Sequence, residues 1–262
     1  MCRLLGYLGP TIPLNYLLHK PEHSLIVQSY QPREMTSGVV NADGFGVGWY
    51  HPQQETNPFT YKNTIPIWND INLTSLGRYI ESGCAVASIR SATSGQGVDI
   101  SNCQPFEYER LLCMHNGRIE NFRQTLCRPL CDRLGNIAYQ SIKGSTDSEH
   151  LFALIINELQ ANPSARLEQA LQSALLTLNE LAKSHQVVAS ANIIVSDGHR
   201  LVASRFATDT AAPSLYWLRD DPAFPEAVIV ASEPLFEGDW HRFPKQSILS
   251  VGEDLDIKIH QL

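Results

Sequence analysis

Four places in the sequence carry residue types suited to chemistry. Cys2 stands directly behind the initiator methionine. Methionine is ordinarily trimmed when the next residue is small, which would leave one residue bearing both a thiol and a free α-amine. Their reference pKa values are about 8.5 and about 7.7 to 8.0, so passing the thiol proton to the amine costs only on the order of 1 kcal/mol. Such a residue supplies nucleophile and base together. The structural alternative makes Cys2 the inward side chain of a first strand.

Asn116 and Gly117, in Met114-His115-Asn116-Gly117-Arg118-Ile119, follow an apolar strand and precede a helix expected from near Glu120. An Asn amide beside an unhindered Gly N–H is a sensible pair of donors for a developing oxyanion. Asn-Gly is equally an ordinary turn signal, and taken alone the pair reads as a turn. Arg90 ends a strand, with Thr93 three residues on in a Gly-containing loop. A guanidinium there can hold a carboxylate by a bidentate fork, or be solvated. In Ser145-Thr146-Asp147-Ser148-Glu149, Thr146 and Glu149 have the spacing of a capping box. The cap leaves Asp147 free to bind an ammonium or to favour the helix dipole.

The elements that must position these residues follow from periodicity. Short strands are expected over Cys2 to Leu8, Gly44 to Tyr50, Cys84 to Arg90 and Leu111 to His115. Two amphipathic helices are expected over Thr146 to Leu159 and Leu167 to Ala182, each with apolar residues three and four apart. Strands return over Val187 to Val195, Leu201 to Phe206, Leu215 to Leu218, Ala227 to Ala231, Ser247 to Val251 and Leu255 to His260, with Asp197-Gly198 as a hairpin turn. Strands, two helices, then strands describe an α+β layered domain rather than a doubly wound parallel sheet.

The 262 residues are 43% hydrophobic, 18% charged and carry a formal charge of −7. That balance argues against a polyanion-binding surface, and so against a nucleic-acid partner. No apolar run approaches the roughly 20 residues needed to span a bilayer, and the N-terminus is no signal peptide. A reducing cytoplasm is the expected location, with no membrane partner. Five of the six cysteines then read as small buried hydrophobes. Cys127 and Cys131 are four apart in a helical stretch. No second Cys/His pair at metal spacing follows them, which argues against zinc.

Cys2 behind Met1, Asn41-Ala42-Asp43-Gly44-Phe45-Gly46-Val47-Gly48-Trp49, Arg90 with Thr93, His115-Asn116-Gly117 and Thr146-Asp147-Ser148-Glu149 occur in a telling order and spacing. Over essentially its full length the sequence resembles the class II, amino-terminal-nucleophile family of glutamine amidotransferases. Val27-Gln28-Ser29-Tyr30, Pro66-Ile67-Trp68 and Ala231-Ser232-Glu233-Pro234 resemble its γ-glutamyl hydrolase branch in the ergothioneine pathway. That branch removes glutamate from γ-glutamyl-hercynylcysteine sulfoxide. The resemblance implies an α+β, four-layer αββα sandwich of the amino-terminal-nucleophile hydrolase type, formed as one domain over residues 2–262 once Met1 is removed.

It further implies Cys2 as nucleophile, Asn116 and Gly117 as oxyanion hole, Arg90 and Thr93 as holders of the substrate α-carboxylate, and Asp147 as partner of its α-ammonium. The expected substrate is a small γ-glutamyl amide, with no metal and no other cofactor. Two other readings stay open: a glutaminase subunit feeding ammonia to a separate synthase, and a non-catalytic protein that keeps the fold and retains Met1. A homodimer through an exposed edge strand stays open too. Many family members have Arg-Trp-Ala-Thr-His where this chain has Arg90-Ser91-Ala92-Thr93-Ser94, and His-Pro where it has Gln104-Pro105. The substrate loop is therefore where this chain should differ.

Overall fold

A computed structural model describes the whole chain except residues 36, 37, 39, 52, 54, 55, 93–96, 210 and 211. Among the described residues, the strands of the first half are β1 (Arg3–Pro13), β2 (Phe45–Trp49), β3 (Phe59–Asn63), β4 (Glu81–Ile89), β5 (Phe106–Tyr108) and β6 (Leu111–Ile119). Those of the second half are β7 (Ala189–Ser196), β8 (Leu201–Arg205), β9 (Tyr216–Asp221), β10 (Phe224–Ala231), β11 (His241–Arg242), β12 (Ser247–Val251) and β13 (Lys258–Gln261). They form two antiparallel sheets, ordered β11-β9-β10-β1-β4-β2-β3 and β13-β12-β8-β7-β6-β5.

Three apolar layers stack these sheets. Leu4 and Leu8 of β1 meet Leu112, Met114 and Ile194 of β6 and β7 between the sheets. Leu5 and Tyr7, alternating to the other face, pack under α1 (Asn15–Leu18), α2 (Leu25–Tyr30) and α3 (Leu73–Tyr79). On the second sheet, Ile119, Ala191, Ile193 and Val195 face α6 (Asp147–Ala161) and α7 (Leu167–Ser184). Two short helices, α4 (Cys127–Cys131) and α5 (Asn136–Gln140), lie before α6. At about 1.5 to 3 kcal/mol for each fully buried aliphatic side chain, these layers hold the four-layer αββα order the family resemblance implies. No helix among the described residues is long and apolar enough to cross a membrane.

The long elements fall where periodicity puts them. The residues at three-and-four spacing in α7, from Leu167 to Ala182, are all buried. Asp197-Gly198 turns β7 into β8, with Gly198 at φ +96° and Asp197 Oδ1 accepting the His199 and Arg200 N–H groups at 2.9 and 2.8 Å. Three expectations need correction. Asn116-Gly117 is no turn: both residues lie inside β6, which runs on to Ile119 against β7. The helix expected from Glu120 is replaced by turns up to α4. The capping box is one-sided. Thr146 Oγ1 accepts the Glu149 N–H at 3.3 Å, but the Glu149 carboxylate turns to the N–H groups of Lys143 and Gly144, where the incoming loop needs an acceptor.

Candidate active site

Strand register brings Cys2, Arg90, Asn116 and Gly117 to one end of the space between the sheets. Arg3 pairs with Ile89 and Leu4 with Ser88, so one further step sets Cys2 beside Arg90. Alternation gives Cys2 and Arg90 the face of Leu4 and Ser88. The facing sheet can be levelled against this one by two close approaches. A Cβ on Gly48, which is in line with Val86 and Gly6, would lie 2.7 Å from Leu112 Cδ1. One step up, in line with Ser88, a Cβ on Gly46 would lie 2.1 Å from the Gln104 carbonyl oxygen. That same oxygen accepts the Ser88 hydroxyl at 3.2 Å, while the Gln104 side chain bonds the main chain of His115. Continuing β6 past His115 therefore carries Asn116 to the level of Cys2 and Arg90.

Asn116 is fully buried and neither atom of its amide has a partner, a state no other buried side-chain amide among the described residues shares. Leaving such a group unpaired costs about 1 to 3 kcal/mol. Its register partner Asn192 is also buried, but donates to the carbonyls of Pro213 and Ser214 at 3.1 and 3.2 Å. Gly117 is required by close approach, since a Cβ there would fall 2.0 Å from the Ser190 carbonyl oxygen.

Main-chain direction is as informative. The Glu120 N–H bonds to Val188, so even-numbered N–H groups of β6 point at β7 and odd-numbered ones at the opposite edge. Two of those odd groups are taken by side chains: His115 N–H by Gln104 Oε1, and Ile119 N–H by Asp147 Oδ2 at 2.8 Å. Gly117 N–H lies between them, and no described side chain accepts it. One free main-chain donor thus sits next to one free amide.

Asp147, the first residue of α6, is buried; besides Ile119 it accepts the Ser148 N–H at 2.9 Å. A carboxylate has further lone pairs for an ammonium. Arg90 spends two of its five N–H groups on the carbonyls of Asp43 and Gly97, at 3.3 and 3.2 Å. Asp43 in turn accepts the Ala92 N–H at 2.8 Å, fixing the start of the loop after β4. Thr93, the predicted companion of Arg90, lies outside the described residues.

The thiols fall into two groups: Cys84, Cys103 and Cys113 are buried, whereas Cys2, Cys127 and Cys131 are half-buried, so only three of the five cysteines expected to be buried are so. Burial pushes Cys84 up to about 12 and raises Cys113 and Cys103 as well, which disfavours their thiolates. Cys2 is only half-buried, with Sγ 4.0 Å from the Ser91 carbonyl oxygen. The Met1 ammonium ahead of it is lowered by burial, against an opposing pull from Cys2 and Asp43.

Several supporting residues escaped sequence reasoning. Arg3 Nε and Glu233 Oε1, both fully buried, form an ion pair of 2.9 Å behind Cys2, and His23 Nε2 donates to Glu233 Oε2 at 2.8 Å. His115 Nε2 sits 3.1 Å from the Ser190 carbonyl, which can only accept, so Nε2 carries the proton and Nδ1 accepts the Ser148 hydroxyl at 2.8 Å. Burial lowers its pKa, keeping the ring neutral. The ring thereby ties β6, β7 and the start of α6 together. The only sequence signals were Glu233 in Ser232-Glu233-Pro234 and the polar residues beside Asn116.

Comparison with known proteins adds to this geometry. Residues 1–235 match the family model described as glutamine amidotransferases class-II. The chain is similar to the probable glutamine amidotransferase DUG3 of Saccharomyces cerevisiae, 33% identical over 96% of this chain and 82% of that protein. It is similar to the gamma-glutamyl-hercynylcysteine sulfoxide hydrolase of Mycobacterium tuberculosis, 30% identical over 96% of this chain and 93% of that one. Among solved structures, a glutamine aminotransferase class-II domain protein from Silicibacter pomeroyi superposes with a TM-score of 0.71 at 25% identity, covering 99% of both chains. The glutamine phosphoribosylpyrophosphate amidotransferase of Bacillus subtilis shares the fold, with a TM-score of 0.64 at 16% identity over 99% of this chain and 49% of that one.

Proposed function

Because the chain belongs to the class II glutamine amidotransferase family, we propose that it hydrolyses γ-glutamyl amides with Cys2, freed by removal of Met1, as the N-terminal nucleophile. The observation that carries this reading is Asn116, a fully buried amide with no partner, beside a Gly117 N–H that no described side chain accepts. Two unspent donors at the level of a half-exposed thiol suit the oxyanion of a tetrahedral intermediate.

The Cys2 α-amine takes the thiol proton, and the thiolate attacks the γ-carbonyl carbon. Asn116 Nδ2 and Gly117 N–H donate to the oxyanion. The tetrahedral species collapses as the amine returns the proton to the departing nitrogen, leaving a γ-glutamyl thioester. Water, deprotonated by the same amine, releases glutamate and restores the thiol. Arg90, with Thr93, holds the substrate α-carboxylate, and Asp147 its α-ammonium. The amine side is then left to the loop after β4.

The substrate this reading favours is γ-glutamyl-hercynylcysteine sulfoxide, in ergothioneine biosynthesis, supported by 30% identity to a hydrolase of that name over nearly the whole chain. Six free thiols with no disulfide suit a reducing cytoplasm. A second reading, glutamine hydrolysis with ammonia passed to a synthase, is supported by 33% identity to DUG3. Incubating Met1-trimmed protein with glutamine, glutathione and γ-glutamyl-hercynylcysteine sulfoxide, and measuring free glutamate, decides between them. The sulfoxide should show the highest kcat/KM. A preference for glutamine, raised by a partner, would move the assignment to the second reading; no glutamate from any substrate would overturn both.

A further inference from the structure

Outside the candidate active site, the fold gathers three soft ligands that the sequence keeps apart. Cys127 and Cys131 open and close α4, four residues apart and therefore on one face. His150, on the first turns of α6, comes to meet them. One ligand atom from each of the three residues lies within 4.8 Å of the other two, and Cys127 Sγ is 3.8 Å from His150 Nε2. A tetrahedral zinc ion, with Zn–S about 2.3 Å and Zn–N about 2.0 to 2.1 Å, needs S–S and S–N separations of about 3.8 and 3.6 Å. The Cys127 Sγ to His150 Nε2 separation of 3.8 Å is already close to that S–N value, and none of the three separations exceeds 4.8 Å.

The surroundings of His150 favour a metal. His150 Nδ1 lies 2.8 Å from the Thr146 carbonyl, which can only accept. The proton is therefore on Nδ1, and the Nε2 lone pair is turned towards the sulfurs. A carbonyl that fixes the tautomer through the other ring nitrogen is the usual companion of a metal-bound His. Phe122 packs edge-on against the ring at a centroid distance of 4.8 Å, holding its plane. We infer that Cys127, Cys131 and His150 form a zinc site with two thiolates, one imidazole and a fourth position open to water. Each thiol gives its proton to solvent as the ion binds, while His150 stays neutral. Spacing along the chain argues against zinc only because the third ligand comes from another helix.

The ion clamps α4 to the start of α6, three residues from Asp147. Its binding is independent of the proposed reaction, so either can fail alone. The test uses reduced, chelator-stripped full chain titrated with Zn2+ alone by calorimetry, and with Co2+ alone by optical absorption. One equivalent of Zn2+ should bind, Tm should rise, and Co2+ should give thiolate charge-transfer bands with tetrahedral d–d intensity. Cys127→Ser and Cys131→Ser, both half-buried and close in size, should each weaken binding by at least roughly 100-fold, more than is usual on losing a residue that only hydrogen-bonds to a metal ligand. Cys2→Ala should bind as the parent does. Absent thiolate bands, unchanged binding in Cys131→Ser, loss of binding in Cys2→Ala, or a Cys127–Cys131 disulfide in the native protein would each overturn the inference.

Discussion

Arg3 Nε stands 2.9 Å from Glu233 Oε1 with both side chains fully buried, so the residue after Cys2 is locked to the chain just beyond β10. Arg3 Nη1 also reaches back to the Cys2 carbonyl at 3.1 Å. Glu233 further accepts the N–H groups of Arg33 and Glu34, at 2.8 and 3.0 Å. One carboxylate thus joins the chain start, the loop after α2 and the end of β10.

That carboxylate makes the fold acid-sensitive. Burial alone would raise the Glu233 carboxyl, but the His23 hydrogen bond, the two N–H groups and the Arg3 charge hold it at about 2. A carboxyl depressed on folding contributes stability that is fully present above its unfolded value, near 4.3, and is lost as pH falls towards 2. The gap corresponds to about 3 kcal/mol. Glu233→Gln should be less stable at pH 7 and should lose less on going from pH 4.5 to 2.5 in urea unfolding. Parallel pH slopes for parent and variant would refute the depressed carboxyl.

The nucleophile assignment separates the thiol from the amine. Cys2→Ala should abolish glutamate release with little change in Tm, since the side chain is only half-buried. A residue inserted between Met1 and Cys2 keeps the thiol but moves the amine, and it should abolish release as well. Activity in the insertion variant would show that the α-amine is not the base.

Asn116→Ala sets stability against function. Loss of one oxyanion donor costs about 2.7 to 4 kcal/mol in the barrier, or 10² to 10³ in kcat. The same change removes a buried amide whose unpaired atoms cost about 1 to 3 kcal/mol, which offsets much of the cavity left behind. Turnover should collapse while Tm stays within a few degrees. A fall in Tm with a nearly unchanged kcat would make Asn116 a structural residue.

Much of this arrangement was legible in the sequence because it rests on local periodicity. The long strands and α6 and α7 carry apolar faces buried as their spacing requires. The short helices α1 to α3 and the edge strand β3 were not visible, since helices of four to seven residues owe their existence to the sheet they cover. Asn116-Gly117 reads locally as a turn, and tertiary pairing with β7 overrides that preference. Gln104, Asn192 and Glu233 act through partners from 11 residues away to the far end of the chain, as Arg3 is for Glu233, which no spacing rule reveals. His150 joins Cys127 and Cys131 for the same reason: α4 and α6 meet only in the folded chain.

Asp147 is the most demanding assignment, because one carboxylate must serve the fold and a ligand. Its Oδ2 accepts the Ile119 N–H at 2.8 Å and Oδ1 the Ser148 N–H at 2.9 Å, so Asp147→Asn, which keeps one oxygen and similar shape, disturbs only half of that pattern. If the remaining lone pairs meet the substrate α-ammonium, removing the charge should raise KM for γ-glutamyl amides bearing a free α-amine. The expected loss is about 1.5 to 3 kcal/mol, a hydrogen bond to a charged group. Analogues lacking the α-amine should be hydrolysed no worse by the variant than by the parent. Equal impairment of both kinds of substrate, with kcat falling and KM unchanged, would mean that Asp147 works by holding Ile119, and through it the edge of β6 on which Gly117 N–H is displayed.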